Sequence, residues 1–359
     1  MRTLIAAIAC LFLSTPAAAE WYEVQSDNFV IYADDKEQDV RRFAEMLEQY
    51  HAGMEFLTGR QANATSPSNR VTIFVAGNQR DIRKIVGTKS RSLQGIYKPR
   101  AGYSRAWVQD IHISRELDES MLLLLHEYSH HFLQSSTRVA MPRWLGEGAA
   151  EFYSSARFEK DGSLSLGRPA NHRAWELARA VPVPAEQLLD ERLYGENRSK
   201  RYDSFYGMSW LLYHYLTFNE PRQGQLNKYY RLIGAGTEPV DAGKAAFGDT
   251  AVLQDELDAY IKQRQMFTYT IPSDKLSIGK IELRRLSEGH AEILPIVMQS
   301  QYGVTEEEAA ELVEDARKIA AKYPNDPWVR RVFRKRNSMR ATTMPPSPLP
   351  TAPSHWGHK

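Results

Sequence analysis

Cysteine is almost missing from this chain: Cys10 is the only one among 359 residues. One cysteine forms no internal disulfide, which excludes the small scaffolds held together by disulfides. The chain also lacks an excess of one charge, since it has 46 Lys and Arg residues and 44 Asp and Glu residues. A balanced chain without a basic block is not expected to have nucleic acid or an anionic membrane as its main partner.

Long apolar runs are also missing, apart from one at the N-terminus. There Arg2 precedes an apolar run over residues 4–13, and an Ala-x-Ala pattern ends at Ala19. This pattern predicts a cleaved signal peptide over residues 1–19, and a product in the periplasm or outside the cell. The run is too short for stable membrane insertion. A lipidated Cys10 is disfavoured, because it would leave only a stub of apolar sequence before it.

The most informative segment is His126-Glu127-Tyr128-Ser129-His130. Apolar residues on both sides predict a buried helix, on which residues four apart share a face. Both imidazoles can then take adjacent corners of a zinc tetrahedron. Glu127 is placed to act as a general base on a water at the metal. The alternative is a solvated His/Glu cluster, but a buried helix does not usually carry such side chains without partners.

A second helix is predicted over residues 142–153, with Pro142 in its first turn. Gly146 and Gly148 would let this helix pack closely against a neighbour. Glu147 and Glu151 share a face, so we assign Glu147 as the third metal ligand and Glu151 as the acceptor that orients a ligand histidine. The prediction is one Zn²⁺ per chain, with a water in the fourth position. The alternative is an ordinary amphipathic helix whose glutamates face water.

The pattern His126-Glu-x-x-His130 followed by Trp144-Leu-x-Glu147-Gly-x-Ala resembles the gluzincin clan of metallopeptidases. The nearest resemblance is to the peptidase-MA-like family of secreted bacterial proteins. It is sharp over residues 121–155 and weaker over roughly 20–265. It implies that Glu147 is the third zinc ligand and that Glu151 supports a ligand histidine. The exopeptidase signature of aminopeptidase N has no counterpart upstream, so an endopeptidase is expected.

A hydrolase of this kind also needs a donor for the developing oxyanion. Tyr206 begins a predicted apolar helix and resembles the catalytic tyrosine of the aminopeptidase branch in position. A phenol is a suitable donor at neutral pH, because its pKa is near 10. A purely structural role for Tyr206 in the core is equally compatible with the sequence. Tyr202 and His214 are the alternatives.

The other histidines are expected to be structural. His131 points about 100° away from His130 and cannot share its metal. His112 lies in a predicted strand, where packing is the better explanation. No neighbours that suggest chemistry are found in the sequence around His51, His172 and His290.

The chain as a whole predicts an α+β protein with a zincin-like, two-lobe catalytic domain over residues 20–265. A mixed-sheet lobe with the active-site helix is followed by a helical lobe. Strands are predicted at 21–25, 28–33, 71–75, 94–98 and 105–113, a hairpin at 157–166, and helices at 36–57, 172–180, 203–217, 222–233 and 250–264. One strand is expected to be an exposed edge that aligns a substrate backbone.

Residues 266–337 are predicted to form a C-terminal extension. Its first part looks extended, and residues 306–336 predict two helices that resemble a single degenerate tetratricopeptide unit. One such unit cannot bury its own face, so it should pack on the catalytic domain. Its helices are a candidate surface for a protein partner. Residues 338–359, rich in Pro, Ser and Thr, are expected to be a disordered tail.

Together these patterns predict a secreted zinc-dependent endopeptidase that acts on peptide or protein substrates. Glu127 would be the base and Tyr206 the oxyanion donor. One alternative is a binding or scaffold protein that keeps zinc but catalyses nothing. The other is a zinc amidase that uses the same residues on a non-protein substrate, such as a cell-wall amide.

Overall fold

A computed structural model describes residues 20–60, 69–88, 93, 95–99, 104–111, 114, 116–135 and 139–339. The predicted signal peptide and His112 lie outside these residues, as does the predicted tail after residue 339. The last helix runs over Pro327–Met339 and therefore includes the first two residues of that tail.

The described strands are β1 (Trp21–Gln25), β2 (Phe29–Asp34), β3 (Val71–Val75), β4 (Gly95–Lys98), β5 (Arg105–Val108), β6 (Arg157–Phe158), β7 (Leu164–Leu166), β8 (Tyr269–Ile271) and β9 (Glu282–Arg285). The described helices are α1 (Glu37–Thr58), α2 (Gln79–Val86), α3 (Glu119–Ser135), α4 (Arg143–Ser154), α5 (Ala174–Arg179), α6 (Ala185–Leu189), α7 (Glu191–Asn197), α8 (Phe205–Phe218), α9 (Gln225–Gly234), α10 (Pro239–Phe247), α11 (Thr250–Tyr260), α12 (Glu288–Tyr302), α13 (Glu306–Lys322) and α14 (Pro327–Met339).

These strands form a six-stranded mixed sheet in the order β4-β5-β3-β2-β1-β9, and a small sheet in the order β6-β7-β8. Strands β2, β3 and β5 run parallel, whereas β4 and β1 are antiparallel to their neighbours β5 and β2. The chain is therefore α+β with a mixed sheet and many helices. None of the described helices is both long enough and apolar enough to cross a membrane.

The two faces of the large sheet follow the alternation of its strands. Ile31, Ile73 and Ala106 are aligned across three strands and lie in the main core with residues of α1 and α3. The next residues along these strands, Tyr32, Phe74 and Trp107, form a second core with α12 on the opposite face. The sheet is thus buried on both sides, and α3 is fixed against one of them.

The segment after residue 265 takes part in both sheets. Strand β8 pairs with β7, and β9 pairs with β1. Helices α13 and α14 occupy the positions predicted for the helix pair, and α12 packs against both of them. Sequence periodicity did not indicate α12, because Pro295 lies inside this helix and interrupts the pattern.

Other differences from the sequence prediction concern short elements and boundaries. Helices α2, α6, α7 and α10 were not predicted, because five to nine residues give too few turns for a clear apolar period. Strand β5 ends at Val108 instead of residue 113, and α11 ends at Tyr260 instead of residue 264.

Helix α4 packs tightly between α3 and α8. A Cβ atom built on Gly148 would lie 2.4 Å from the backbone oxygen of Ser209 and 3.1 Å from Cβ of Tyr213, so the backbones of α4 and α8 are in contact. On Gly146 the nearest atom would be Cε1 of His130 at 3.9 Å. Only one of the two glycines is therefore required by packing.

We predict that Gly148→Ala lowers the free energy of unfolding by about 1–3 kcal/mol, because the new methyl group forces two backbones apart. The matched change Gly146→Ala should instead raise it by up to about 1 kcal/mol, because alanine favours the helix and the nearest atom is at an ordinary contact distance. Urea denaturation of both variants measures the difference. Equal effects would contradict the close contact between α4 and α8.

Candidate metal centre

Helices α3 and α4 bring the three predicted ligands together. His126 and His130 lie one turn apart on α3, and Glu147 approaches them from α4. The Nε2 atoms of the two histidines are 3.2 Å apart, and Oε2 of Glu147 is 3.3 Å from each of them. This group could hold a metal ion.

The dimensions of this triangle test whether a particular ion would fit. Zinc bonds to nitrogen and oxygen are about 2.0–2.1 Å long, and at a tetrahedral angle such bonds separate their ligand atoms by about 3.3–3.4 Å. The observed sides of 3.2 and 3.3 Å agree with that spacing. Two imidazole nitrogens and one carboxylate oxygen also form a donor set suited to zinc. The residues therefore fit a tetrahedral zinc ion with one position left for a non-protein ligand.

The electrostatics of the triangle favour a cation. Burial lowers the pKa of His126, but Glu147 and Glu151 outweigh it and raise that pKa to about 10. Burial likewise raises the pKa of Glu147, yet His126 and His130 hold it well below the usual range of a carboxyl. The site keeps its carboxylate ionised and attracts positive charge to the same point.

Glu151 lies behind the triangle, where the sequence predicted a supporting acceptor. Its Oε1 atom is 3.2 Å from Nδ1 of His126, which leaves Nε2 directed at the ligand triangle. Its side chain is fully buried and accepts hydrogen bonds from Arg173 and from Nε2 of His172, the latter at 2.6 Å. Burial raises its pKa, but Arg173 and then His126 hold it well below its usual range. An ionised Glu151 can therefore fix the orientation of His126.

The contacts of His172 and Arg173 were missed in the sequence. His172 was expected to lack neighbours that suggest chemistry, and this was wrong, because it contacts the carboxylate that supports His126. The two residues lie 21 and 22 positions from Glu151. No helical or strand period links residues so far apart, so no local pattern could have indicated them.

Tyr206 lies in the first turn of α8, near two cations. The guanidinium carbons of Arg143 and Arg173 are 5.8 and 4.9 Å from the centre of its ring. Burial raises the pKa of Tyr206, the Glu147 carboxylate raises it further, and Arg143 opposes both. The phenol therefore stays protonated at neutral pH and keeps a hydrogen to donate near Glu147.

The two alternatives to Tyr206 are engaged in other contacts. The hydroxyl of Tyr202 donates to Oε2 of Glu176 over 2.7 Å. His214 is completely buried, with Nδ1 2.8 Å from the hydroxyl of Tyr260 and Nε2 3.1 Å from the carbonyl oxygen of Gly167. Burial lowers the pKa of His214 to about 4, so it is a neutral residue that ties α8 to its surroundings.

Three further histidines have structural contacts. His131 lies beside the ring of Tyr128, with the ring centres 5.8 Å apart, and burial lowers its pKa. Nδ1 of His51 is 2.7 Å from the hydroxyl of the same tyrosine. His290 stacks on Trp328 with the ring centres 4.1 Å apart. These contacts agree with the structural roles expected for them.

Glu127 lies on the side of α3 that faces the edge strand β4. Glu127 lies one turn after Leu123, and residues four apart share a face of a helix. A Cβ atom on Gly95 would be 3.3 Å from the side chain of Leu123, so β4 lies directly against α3. Glu127 itself is partly exposed. The candidate base is therefore on the face of α3 that packs against the outermost described strand of the large sheet.

No protein-family model matches this chain, and no curated protein matches its sequence.

We predict that Glu147→Gln lowers zinc affinity by more than about 100-fold, because it removes a charged ligand, whereas Glu151→Gln lowers it by about 10–100-fold through the support of His126. Competition against chelators of graded affinity measures both effects. Glu119→Gln, an exposed change in the first turn of α3, is the matched control. Unchanged zinc affinity in Glu147→Gln would mean that another residue is the third ligand.

Proposed function

We propose that this chain is a secreted zinc-dependent metallopeptidase that cleaves peptide bonds within a peptide or protein chain. The observation that carries the proposal is the triangle of His126, His130 and Glu147, with Glu127 beside it on the same helix. A zincin-like division into two lobes is part of the proposal. In this division the large sheet with α3 forms one lobe, and the helices from α5 to α11 form the other. The resemblance of residues 121–155 to gluzincin metallopeptidases supports the same assignment.

His126, His130 and Glu147 would hold the ion, and Glu151 would keep His126 in the orientation that binding requires. When bound, zinc supplies Lewis-acid chemistry, which polarises a carbonyl group and lowers the pKa of a water. Glu127 accepts a proton from the water that attacks the peptide carbonyl, and then passes this proton to the leaving amine. Because the Glu127 carboxylate is partly exposed, it can reach both the water that gives up the proton and the amine that receives it.

Tyr206 is the proposed donor to the carbonyl oxygen as negative charge develops on it. The pKa of this phenol is raised by burial and by Glu147, so the hydrogen is present at neutral pH. Preorganised donors of this kind contribute most where water is excluded, because the charge they meet is not shared with solvent. Arg143 and Arg173 both lie within cation–π range of its aromatic ring.

Strand β4 is the proposed guide for the substrate backbone. Among the described strands it is the outermost one of the large sheet on the side of α3, and its outer edge could pair with an extended peptide by strand addition. A peptide bound along this edge would pass close to the face of α3 that carries Glu127, because Leu123, one turn before it, lies against Gly95 of the same strand. Pairing along an edge needs no free terminus, which favours cleavage within a chain.

We predict that Glu127→Gln keeps one zinc per chain and lowers kcat by about 10²–10⁴-fold, because only the proton acceptor is lost. Turnover of a peptide library and zinc content by mass spectrometry are measured together, with Glu119→Gln as control and His126→Ala as the metal-free reference. Full turnover in Glu127→Gln would rule out the mechanism. A zinc-loaded wild-type chain that cleaves no peptide would favour the scaffold alternative or a non-peptide amide.

A further inference from the structure

A chain of buried charges connects the metal-binding helix α4 to the start of α8. Glu151, Arg173 and Glu176 are exposed by only 0, 2 and 2%. The Arg173 guanidinium donates to Oε1 of Glu151 through one terminal nitrogen and to Oε2 of Glu176, at 3.2 Å, through the other. One planar cation thus holds two carboxylates from different elements, a geometry to which the fork of arginine is suited.

The Glu176 end of this chain fixes the beginning of α8. Its Oε1 atom accepts the backbone N–H of Gly207 at 2.6 Å. The first N–H groups of a helix have no partner within it, and a carboxylate at this end is also favoured by the helix dipole. Ser204, at the N-cap position, makes no side-chain capping bond, so Glu176 takes over part of that function from outside the helix. Tyr206 lies in the turn that Glu176 holds.

Arg173 also contacts Tyr206 directly. Its guanidinium carbon is 4.9 Å from the centre of the ring, within the range of a cation–π interaction. The same side chain therefore touches the carboxylate behind His126, the carboxylate that caps α8, and the ring of the proposed oxyanion donor. These contacts fix Tyr206 relative to the ligands from two directions.

Stability alone does not account for such a group. Removing charges from water costs free energy that ion pairing regains only in part, and apolar replacements of similar volume often stabilise proteins equally well or better. What an ionic cluster adds over an apolar one is a defined geometry. Here that geometry relates the position of a ligand histidine to the position of Tyr206.

We propose that Arg173 is a positioning residue, which sets the place of Tyr206 relative to the metal ligands by holding Glu151 and Glu176 at the same time. The part that concerns turnover rests on the proposed function. The part that concerns metal binding and the Tyr206 ring does not.

The first test separates positioning from simple stabilisation. Glu176→Gln should lower kcat about tenfold, leave KM within about twofold, and leave zinc affinity unchanged, because only the held end of α8 is loosened. Tyr206→Phe should lower kcat by about 10²-fold or more, as expected for a lost oxyanion donor. In the Tyr206→Phe background, Glu176→Gln should cause no further loss. Independent, multiplicative losses would overturn the proposal.

The second test does not depend on activity. Arg173→Lys keeps the charge but cannot hold both carboxylates in one plane, so zinc affinity should fall about tenfold through Glu151. The signal of Tyr206 in ¹³C-tyrosine NMR, identified by its absence in Tyr206→Phe, should shift in Arg173→Lys and in Glu176→Gln. Unchanged zinc affinity in Arg173→Lys, or an unmoved Tyr206 signal in either variant, would overturn the proposal.

The controls come from an exposed pair elsewhere in the chain. Arg192 and Glu196 form a surface ion pair, with side chains exposed by 73 and 58%. Arg192→Lys and Glu196→Gln repeat the same chemical changes and should alter neither zinc affinity nor the Tyr206 signal. If Arg173→Lys does not fold, Tyr202→Phe replaces it in the NMR measurement, because the Tyr202 hydroxyl also holds Glu176. The Tyr206 signal should then shift, and an unmoved signal would overturn the proposal. If the wild-type chain cleaves no peptide, the proposed function fails, while zinc affinity and the NMR signal still decide the role of Arg173.

Discussion

The structure depends on holding three electron-rich atoms close together. Two imidazole nitrogens and a carboxylate oxygen converge within 3.3 Å, and their lone pairs repel one another unless a proton or a metal cation lies between them. Their side chains therefore need support from behind, and Glu151 gives that support to His126. Glu151 is itself a buried charge that requires Arg173, so each layer of the site creates the need for the next one.

The inner layer of this site could be predicted from sequence because its spacing is local. His126 and His130 are four residues apart on a helix, and Glu147 and Glu151 are four apart on the next, so helical geometry alone places each pair on one face. The outer layer could not be predicted. Arg173 and Glu176 meet Glu151 and Gly207 only after the chain has folded, and no period or motif connects positions that lie so far apart.

The same distinction applies to the fold. Strand β3 and helix α1 could be located closely, because alternating or helical apolar patterns run through them. Helix α12, which covers the second face of the sheet, could not be located from sequence. It contains Pro295 and follows the short strand β9, which has little apolar character. Neither β9 nor α12 is an appendage in the structure: one extends the sheet, and the other buries Tyr32, Phe74 and Trp107.

The pairing of β9 with β1 has a consequence for the order in which the chain folds during synthesis. Strand β1 is among the first described residues to be synthesised. One of the two strands that pair with it, β9, contains Arg284, which follows about 260 residues later in the chain. Until then β1 is an open sheet edge, and Glu23 lacks the arginine that lies 2.6 Å from its carboxylate in the finished protein. Contacts between such distant residues form late, because a long loop must close first. The residues of the metal site are therefore synthesised well before the sheet that supports α3 is complete, and a nascent chain carries the ligands before it carries the finished fold.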